Sequence, residues 1–429
     1  MKKILFLILP IFLFGQSFLI SNIPIPRTYI QNLDPYECNE ACMQEFIDNG
    51  MIFSFLAHAD SKLENVEQDE IRMMNIAILN LGSHIISDKL RIAMLLPYKT
   101  IGKYAASTTN AAFAYLIAKN RSFELKSYQI ESESVEDIRE ALNQIAKDDF
   151  YYVIAPLTQS GSDAVSEINP QMNIYFPTIN KEDVQSTSSF LYYGGIDYRA
   201  QSNLLLKEAV SPLVIFYDQS DIGHKLAMYE EQRFTHKDVA DMNLSLSTEE
   251  VIPQLLERVD SVESMEENRT VVKFSIPRRT TNLEEQLKEN EEIKKGSFFL
   301  NTPIVKSGMI MSQLTLYDTN STNVLSTQIN YDPLLLSMTQ YTDRKNMIVA
   351  NSITQNNNVI IETNSLLGND IVYDWINYTT TVGMDYFFNK ITNDEREYKI
   401  DLQENQMMYQ IELLQPSLSR FIKYFSTLE

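Results

Sequence analysis

The stretch of this chain best suited to chemistry is TQSGSDAV, from Thr158 to Val165, a serine-glycine turn that opens a helix. Backbone N–H groups at such a turn can hold a carboxylate, while in the blander reading Ser162 only caps its helix. A serine nucleophile lacks its frame here, because SGSDA is not the GxSxG of a strained elbow. His58, His84, His224 and His236 form no HExxH and no i, i+4 pair, and no cysteine is near them. A zinc site therefore has no ligands at workable spacing. Asp218 and Asp221, three residues apart in an acidic chain, read as ordinary surface and not as an acid/base pair. No DxDxDG loop appears, so acidity alone makes no calcium site. These negatives argue against an enzyme and against a metal or other cofactor.

The two cysteines, Cys38 and Cys42 in DPYECNEACMQEF, are spaced too widely for a CxxC redox motif. Four helical residues advance the chain by about 6 Å, within the roughly 4.4–6.8 Å Cα separation that a disulfide tolerates. A local staple is the favoured reading, with free thiols or half a metal site as alternatives. The compartment decides between them. Met1 to Ser17, MKKILFLILPIFLFGQS, has the charged start, apolar middle and small-residue end of a secretory signal. It is short for a bilayer span, and no later run is longer and apolar. Removing Lys2 and Lys3 with it takes the net charge from −21 to −23. Such a surface repels phosphate backbones and anionic lipid heads, which argues against nucleic acid and polybasic membrane binding.

At 429 residues and 44% hydrophobic content the chain is long enough for two or three domains. Residues 18–89 hold a proline-bearing apolar segment, the cysteine helix and a helix near Asp69–Leu81, a small N-terminal element. From Leu90 strands and helices alternate, which predicts a mostly parallel sheet covered on both faces. Strands are expected at LRIAMLL, FELKSYQI, YYVIAPL, NIYFPTI and FLYYGG, and then at PLVIFYD, TVVKFSI, SFFLNT, VLSTQIN and MIVANSI. Helices are expected from Ile101 to Leu116, after Ser134 as N-cap, and over Asp197–Ala209, Asn282–Lys295, Val305–Tyr317 and Asp370–Asn389. Two successive α/β series imply two lobes, 90–210 and 211–429, the second range also holding a C-terminal segment. The acidic blocks at Thr248–Arg269 and Asn282–Lys295 read as solvated faces or connectors. YDWINYTTTVGMDYFF, with Trp375, reads as core packing first and as an aromatic partner patch second.

In order and spacing, LRIAMLLPYKTIGKYAAS, YVIAPLTQSGSDAVSEI, LVIFYDQSDIGHKLA, FFLNTPIVKSG and DIVYDWINYTT resemble the type I periplasmic solute-binding family over Leu90–Asn389. The resemblance implies an α/β fold of two lobes joined by crossing strands, with a cleft for small polar ligands at the strand C-termini. That family's relatives include amino-acid receptors and regulators of cell-wall synthesis. Carried onto this sequence, its cleft positions fall on Tyr98, Lys99 and Thr100, on Thr158 to Ser162 with Ser160 and Ser162 as donors, and on Asn180. In the second lobe they fall on Tyr217 to Ser220 and on Asn301 and Thr302. PYKTIGKY departs from the receptors' small residues after the first strand, placing Tyr98, Lys99 and Lys103 where a ligand needs room.

A narrower resemblance, carried by LDPYECNEAC, FFLNTPIVKSGMIMSQLTLYD and VLSTQINYDPLLLSMTQ, is to a secreted flagellar basal-disk accessory protein of Campylobacter-like bacteria. It implies a periplasmic, non-enzymatic scaffold, in the periplasm or at the outer membrane, that assembles with protein partners and serves motility. The alternatives are a solute receptor for a transporter or sensor and an activator of a cell-wall synthase. DMNLS, EENRT and DTNST are similar to the N-glycosylation acceptor pattern of such bacteria, which requires Asn243, Asn268 and Asn320 on exposed loops.

Overall fold

The computed structural model describes residues 38–59, 62–78, 90–119, 121–185, 188–235, 269–279 and 282–426. The expected signal segment and the acidic block 248–268 lie outside them. The chain forms two compact units: Met1–Lys89 with Phe113–Phe123 and Asn357–Gly368, and Leu90–Ala112 with Glu124–Asn356 and Asn369–Glu429.

The first unit holds α1 (Glu40–Asp48), α2 (Ile52–His58) and α3 (Val66–Ile78). Asn39 caps α1 by accepting the Cys42 N–H at 3.0 Å. Cys38 and Cys42 are joined in a disulfide across a Cα separation of 5.4 Å, the local staple expected from their spacing. Phe55, Leu56, Ala59 and Ile76 make a small core, and Gln68 ties α3 to the Glu40 carbonyl and the Gln44 side chain.

The second unit carries two sheets. The first contains β1 (Leu90–Leu96), β2 (Phe123–Gln129), β3 (Tyr152–Ile154), β4 (Asn173–Phe176) and β5 (Leu191–Tyr193). The second contains β6 (Leu213–Asp218), β7 (Val271–Ile276), β8 (Ser297–Asn301), β9 (Asn323–Ser326) and β10 (Met347–Asn351). Later strands complete both: β11 (Asp401–Gln403) and β12 (Gln406–Met408) extend the first, β13 (Glu412–Pro416) and β14 (Phe421–Lys423) the second. The orders are β11-β12-β5-β4-β3-β1-β2 and β14-β13-β10-β9-β8-β6-β7. The strands β1, β3, β4 and β5 pair in parallel, as do β6 to β10, with Ala93 opposite Val153 and Ile215 opposite Phe299. Strands covered on both faces need continuous apolar runs, which is why LRIAMLL and SFFLN are buried almost throughout.

The helices between them are α4 (Tyr98–Ile101), α5 (Lys103–Ala118), α6 (Val135–Lys147), α7 (Gln159–Ile168), α8 (Tyr198–Leu206) and α9 (Asp221–Thr235). Further along come α10 (Glu284–Leu287), α11 (Ile304–Leu316), α12 (Pro333–Met338), α13 (Tyr341–Arg344), α14 (Asn358–Leu366) and α15 (Trp375–Thr392). Ser134 caps α6, accepting the Asp137 N–H at 3.2 Å, and Ile138, Ala141, Leu142 and Ile145 form its buried stripe.

Three expectations need correction. The helix expected over Asn282–Lys295 is only α10 and one 3-10 turn, because Glu289 and Lys295 take positive φ and Asn290 caps the turn between them. The first helix is cut into α4 and α5 at Gly102, whose φ of 55° a glycine adopts without strain. The C-terminal segment within 211–429 does not stay with the second lobe, and the first lobe does not run to 210. Instead α8 packs on α9 and β10 with the second sheet, while β12 pairs in parallel with β5, Gln406 opposite Tyr193. The α15 helix also returns to the first sheet, where its Phe387 meets Tyr152, Tyr175 and Tyr192 edge-on. The Trp375 stretch is therefore core, as its helical spacing suggests.

The chain passes between the sheets after β5, after β10 and after β12, and Tyr175 of β4 sits where these passages meet. Its buried hydroxyl bonds the Thr379 hydroxyl at 2.8 Å and the Tyr409 hydroxyl at 3.3 Å, and both of those donate to the Gly194 carbonyl. Two glycines make room for the ring. A Cβ at Gly194 would lie 1.9 Å from the Tyr175 hydroxyl, and one at Gly383 would lie 2.3 Å from the ring carbons. Replacing Gly383 by Ala should cost about 1–3 kcal/mol by overpacking, read as a lowered melting temperature. An unchanged melt would show that the ring does not occupy that space.

Candidate functional site: the strand ends of the two lobes

In the first lobe the C-terminal ends of β1, β2 and β3 bring Tyr98, Lys99, the 131–134 loop and the start of α7 together. Tyr98 and Thr100 are exposed on α4, and the Lys99 ammonium pairs with Glu131, also exposed. Such a surface pair contributes about 0–1 kcal/mol. At α7 the carboxylate of Glu133 accepts the Thr158 N–H at 2.9 Å and the Thr158 hydroxyl. A helix start favours negative charge through its free N–H groups and dipole. Here the chain supplies that charge itself. Gly161 permits the approach, since a Cβ there would stand 2.9 Å from the Glu133 carboxyl carbon.

Ser162 does not cap α7, contrary to the blander expectation, because the N-cap position falls on Thr158. Ser162 lies buried inside the first turn and donates to the Gln159 carbonyl at 2.9 Å, whereas Ser160 is exposed. Asn180 caps the short turn after β4, accepting the Glu182 N–H at 3.0 Å. It also lines a cleft of about 400 Å³ with Lys181, Asp197, Ser352, Gln406 and Tyr409, where the passages cross. Lys181 there is engaged by the Glu404 carboxylate and carbonyl.

The second lobe follows the same pattern. Tyr217 packs on His224 at 5.7 Å, and Asp218 accepts the Ser220 N–H at 3.1 Å and its hydroxyl at 2.5 Å. Thr302 pairs with the Ser307 hydroxyl at 2.7 Å. Asn301 is 2% exposed and donates to Glu230 at 2.5 Å, while Ser202 donates to the other Glu230 oxygen at 2.9 Å. Next to it Gln201, Gln328 and Ser352 share a buried net, Gln201 donating to Ser352 at 2.8 Å and accepting the Gln328 N–H at 2.9 Å. Tyr98, Thr158 and Ser160 thus gather in one lobe and Tyr217 and Asn301 in the other, and the side chains best suited to hold a solute are mostly spent on internal partners.

Glu133 and Glu230 were not singled out by sequence. For Glu230 a signal existed: Leu226, Ala227, Glu230 and Phe234 share one helical face, which places its carboxyl inward. For Glu133, in ESESVED, none did. No three His, Cys, Asp or Glu among the described residues stand together as a metal cluster. The acceptor motif at Asn320 lies on an exposed turn after α11, whereas Asn243 and Asn268 fall outside the described residues.

Burial pushes the Glu230 carboxyl up from 4.5 to about 8, outweighing the opposing hydrogen bonds from Asn301 and Ser202. Its folded form therefore holds a proton that the unfolded chain gives up, so stability falls as pH rises from about 4.5 to 8. A Glu230→Gln variant removes that dependence, and the melting temperature it gains over wild type should be larger at pH 8 than at pH 5. A gain that stays constant across this range would mean that Glu230 is ionised in the fold.

No protein-family model matches the chain, and no curated protein matches it by sequence. Solved structures do match its fold. One described as a branched-chain amino acid ABC transporter from Rhodospirillum rubrum aligns at a TM-score of 0.57 and 10% identity, over 79% of this chain and 100% of that one. The leucine-binding protein LivK of Thermotoga maritima aligns at 0.51 and 12% identity, over 78% and 98%. Haemophilus influenzae LpoA aligns at 0.50 and 10% identity, over 90% of this chain and 72% of its own. With two mostly parallel sheets, helices between them and three passages of chain, the protein has the two-lobed α/β fold of the periplasmic binding proteins.

Proposed function

We propose that this is a non-enzymatic protein of the periplasm, held in that compartment or against the outer membrane, that acts through a protein partner in the cell envelope. The carrying observation is that a strand-end group in each lobe is occupied from within. Glu133 sits on the start of α7, and Glu230 takes the amide of Asn301. A scaffold retained with its ligand donors consumed is suited to protein contact. The disulfide fits an exported chain, and no helix among the described residues is long and apolar enough to cross a membrane.

Regulation of a cell-wall synthase is the partner role that family resemblance supports, and the fold match to LpoA extends over more of this chain than the matches to transporter proteins do. The flagellar basal disk rests on sequence resemblance alone, and none of the three structures compared above is described as a flagellar protein. A second reading, a small-solute receptor using Tyr98, Thr100, Ser160, Ser162, Asn180, Tyr217 and Asn301, is favoured by the cleft of about 400 Å³ beside Asn180. That size suits a small ligand.

Native mass spectrometry of protein purified without refolding separates the two readings. The expected spectrum shows the bare chain, and amino acids added at millimolar concentration leave the melting temperature unmoved. A copurified metabolite that raises the melt would overturn the proposal in favour of a receptor. In-cell crosslinking then identifies the partner: a cell-wall synthase for the first role, a motor or disk component for the second.

A further inference from the structure

The segment between α14 and α15 joins the two lobes through side chains of its own. On the first-lobe side it is held by backbone. Asn369 donates to the Ser107 carbonyl of α5 at 2.7 Å, and Asn377 of α15 donates to the Asp370 carbonyl at 3.0 Å. The Asp370 carboxylate turns the chain by accepting the N–H groups of Val372 at 2.7 Å and Tyr373 at 3.0 Å. That turn presents the Tyr373 ring to the second lobe.

There it meets two aromatic rings of the second sheet's own elements. Tyr331, which follows β9, lies 5.0 Å from Tyr373 centroid to centroid, and Phe421 of β14 lies 6.3 Å away. Tyr331 and Phe421 are themselves 4.9 Å apart, so the three rings close a triangle. Tyr331 is 9% exposed and is held by its N–H bond to the Gln328 carbonyl at 3.0 Å. Tilted ring pairs at these spacings are attractive beyond the area they bury.

We propose that Tyr373 is an interlobe latch, which fixes the angle between the two sheets in the absence of any solute. In a clamping receptor the bound ligand supplies the contacts that hold the lobes together, and a few residues in the connecting segments absorb the rotation. Here three rings of the chain itself supply such a contact. The inference does not depend on the partner's identity, nor on whether a solute binds beside Asn180.

The test is a distance distribution between spin labels, one at Glu140→Cys on α6 and one at Thr315→Cys on α11, in the full chain with the Cys38–Cys42 bond intact. Both positions are exposed and lie on helices of opposite lobes. The latched protein should give one narrow distance, and Tyr373→Ala should give a distribution roughly doubled in width as the lobes begin to rotate about the passages. Phe421→Ala, which removes a less central ring, should broaden it in the same direction, and Tyr373→Phe should leave it narrow. A broad distribution in the unaltered chain, or a narrow one in both alanine variants, would overturn the latch.

Discussion

One buried hydroxyl carries an unusual share of this architecture. The Tyr175 oxygen, with Thr379, Tyr409 and the Gly194 carbonyl, forms a closed polar knot at the place where the chain changes lobes. Burial raises the cost of leaving any member without a partner, so these groups hold one another in register. Burial also pushes the Tyr175 hydroxyl up to about 12, further from ionisation than an exposed tyrosine. Around it stand Trp375, Tyr378 and Tyr398, with Trp375 packing edge-on to Tyr409 at 4.7 Å. The lobes depend on this point because residues from β4, α15 and two of the passages meet there.

The same economy of internal partners recurs at the strand ends. Parallel sheets leave polar backbone and helix starts at their C-terminal edges, which is where such folds take ligands. In this protein several groups at those edges take internal partners: a carboxylate on the start of α7, a buried acid on the Asn301 amide, an amide net between α8 and the end of β10. Burial without a cation favours the protonated form of the Glu230 carboxyl, so the acid that meets Asn301 sits there without a charged partner.

The strands of the two alternating series were legible because each is a short apolar run of the type parallel pairing demands. The caps were legible where a serine preceded acidic residues, as at Ser134. What escaped was decided at a distance. The β11–β12 hairpin carries little hydrophobic alternation, and only its pairing with β5 makes it strand. The return of α15 to the first sheet depends on Phe387 finding three tyrosines far away in sequence. Of the site, the positions were legible through resemblance, but their occupation was not. That Glu133 would reach Thr158, or Glu230 meet Asn301, follows from three-dimensional proximity across 25 and 71 residues.

The bond between Cys38 and Cys42 spans the Asn39 cap and the first residues of α1, so it can do little for the stability of the whole chain. Its effect is on initiation. Starting a helix is the unfavourable step, since several dihedrals must be set before the first backbone bond rewards them. A covalent ring there sets them in advance. The first helix of the N-terminal unit should therefore form more readily with that bond closed than with the two cysteines reduced.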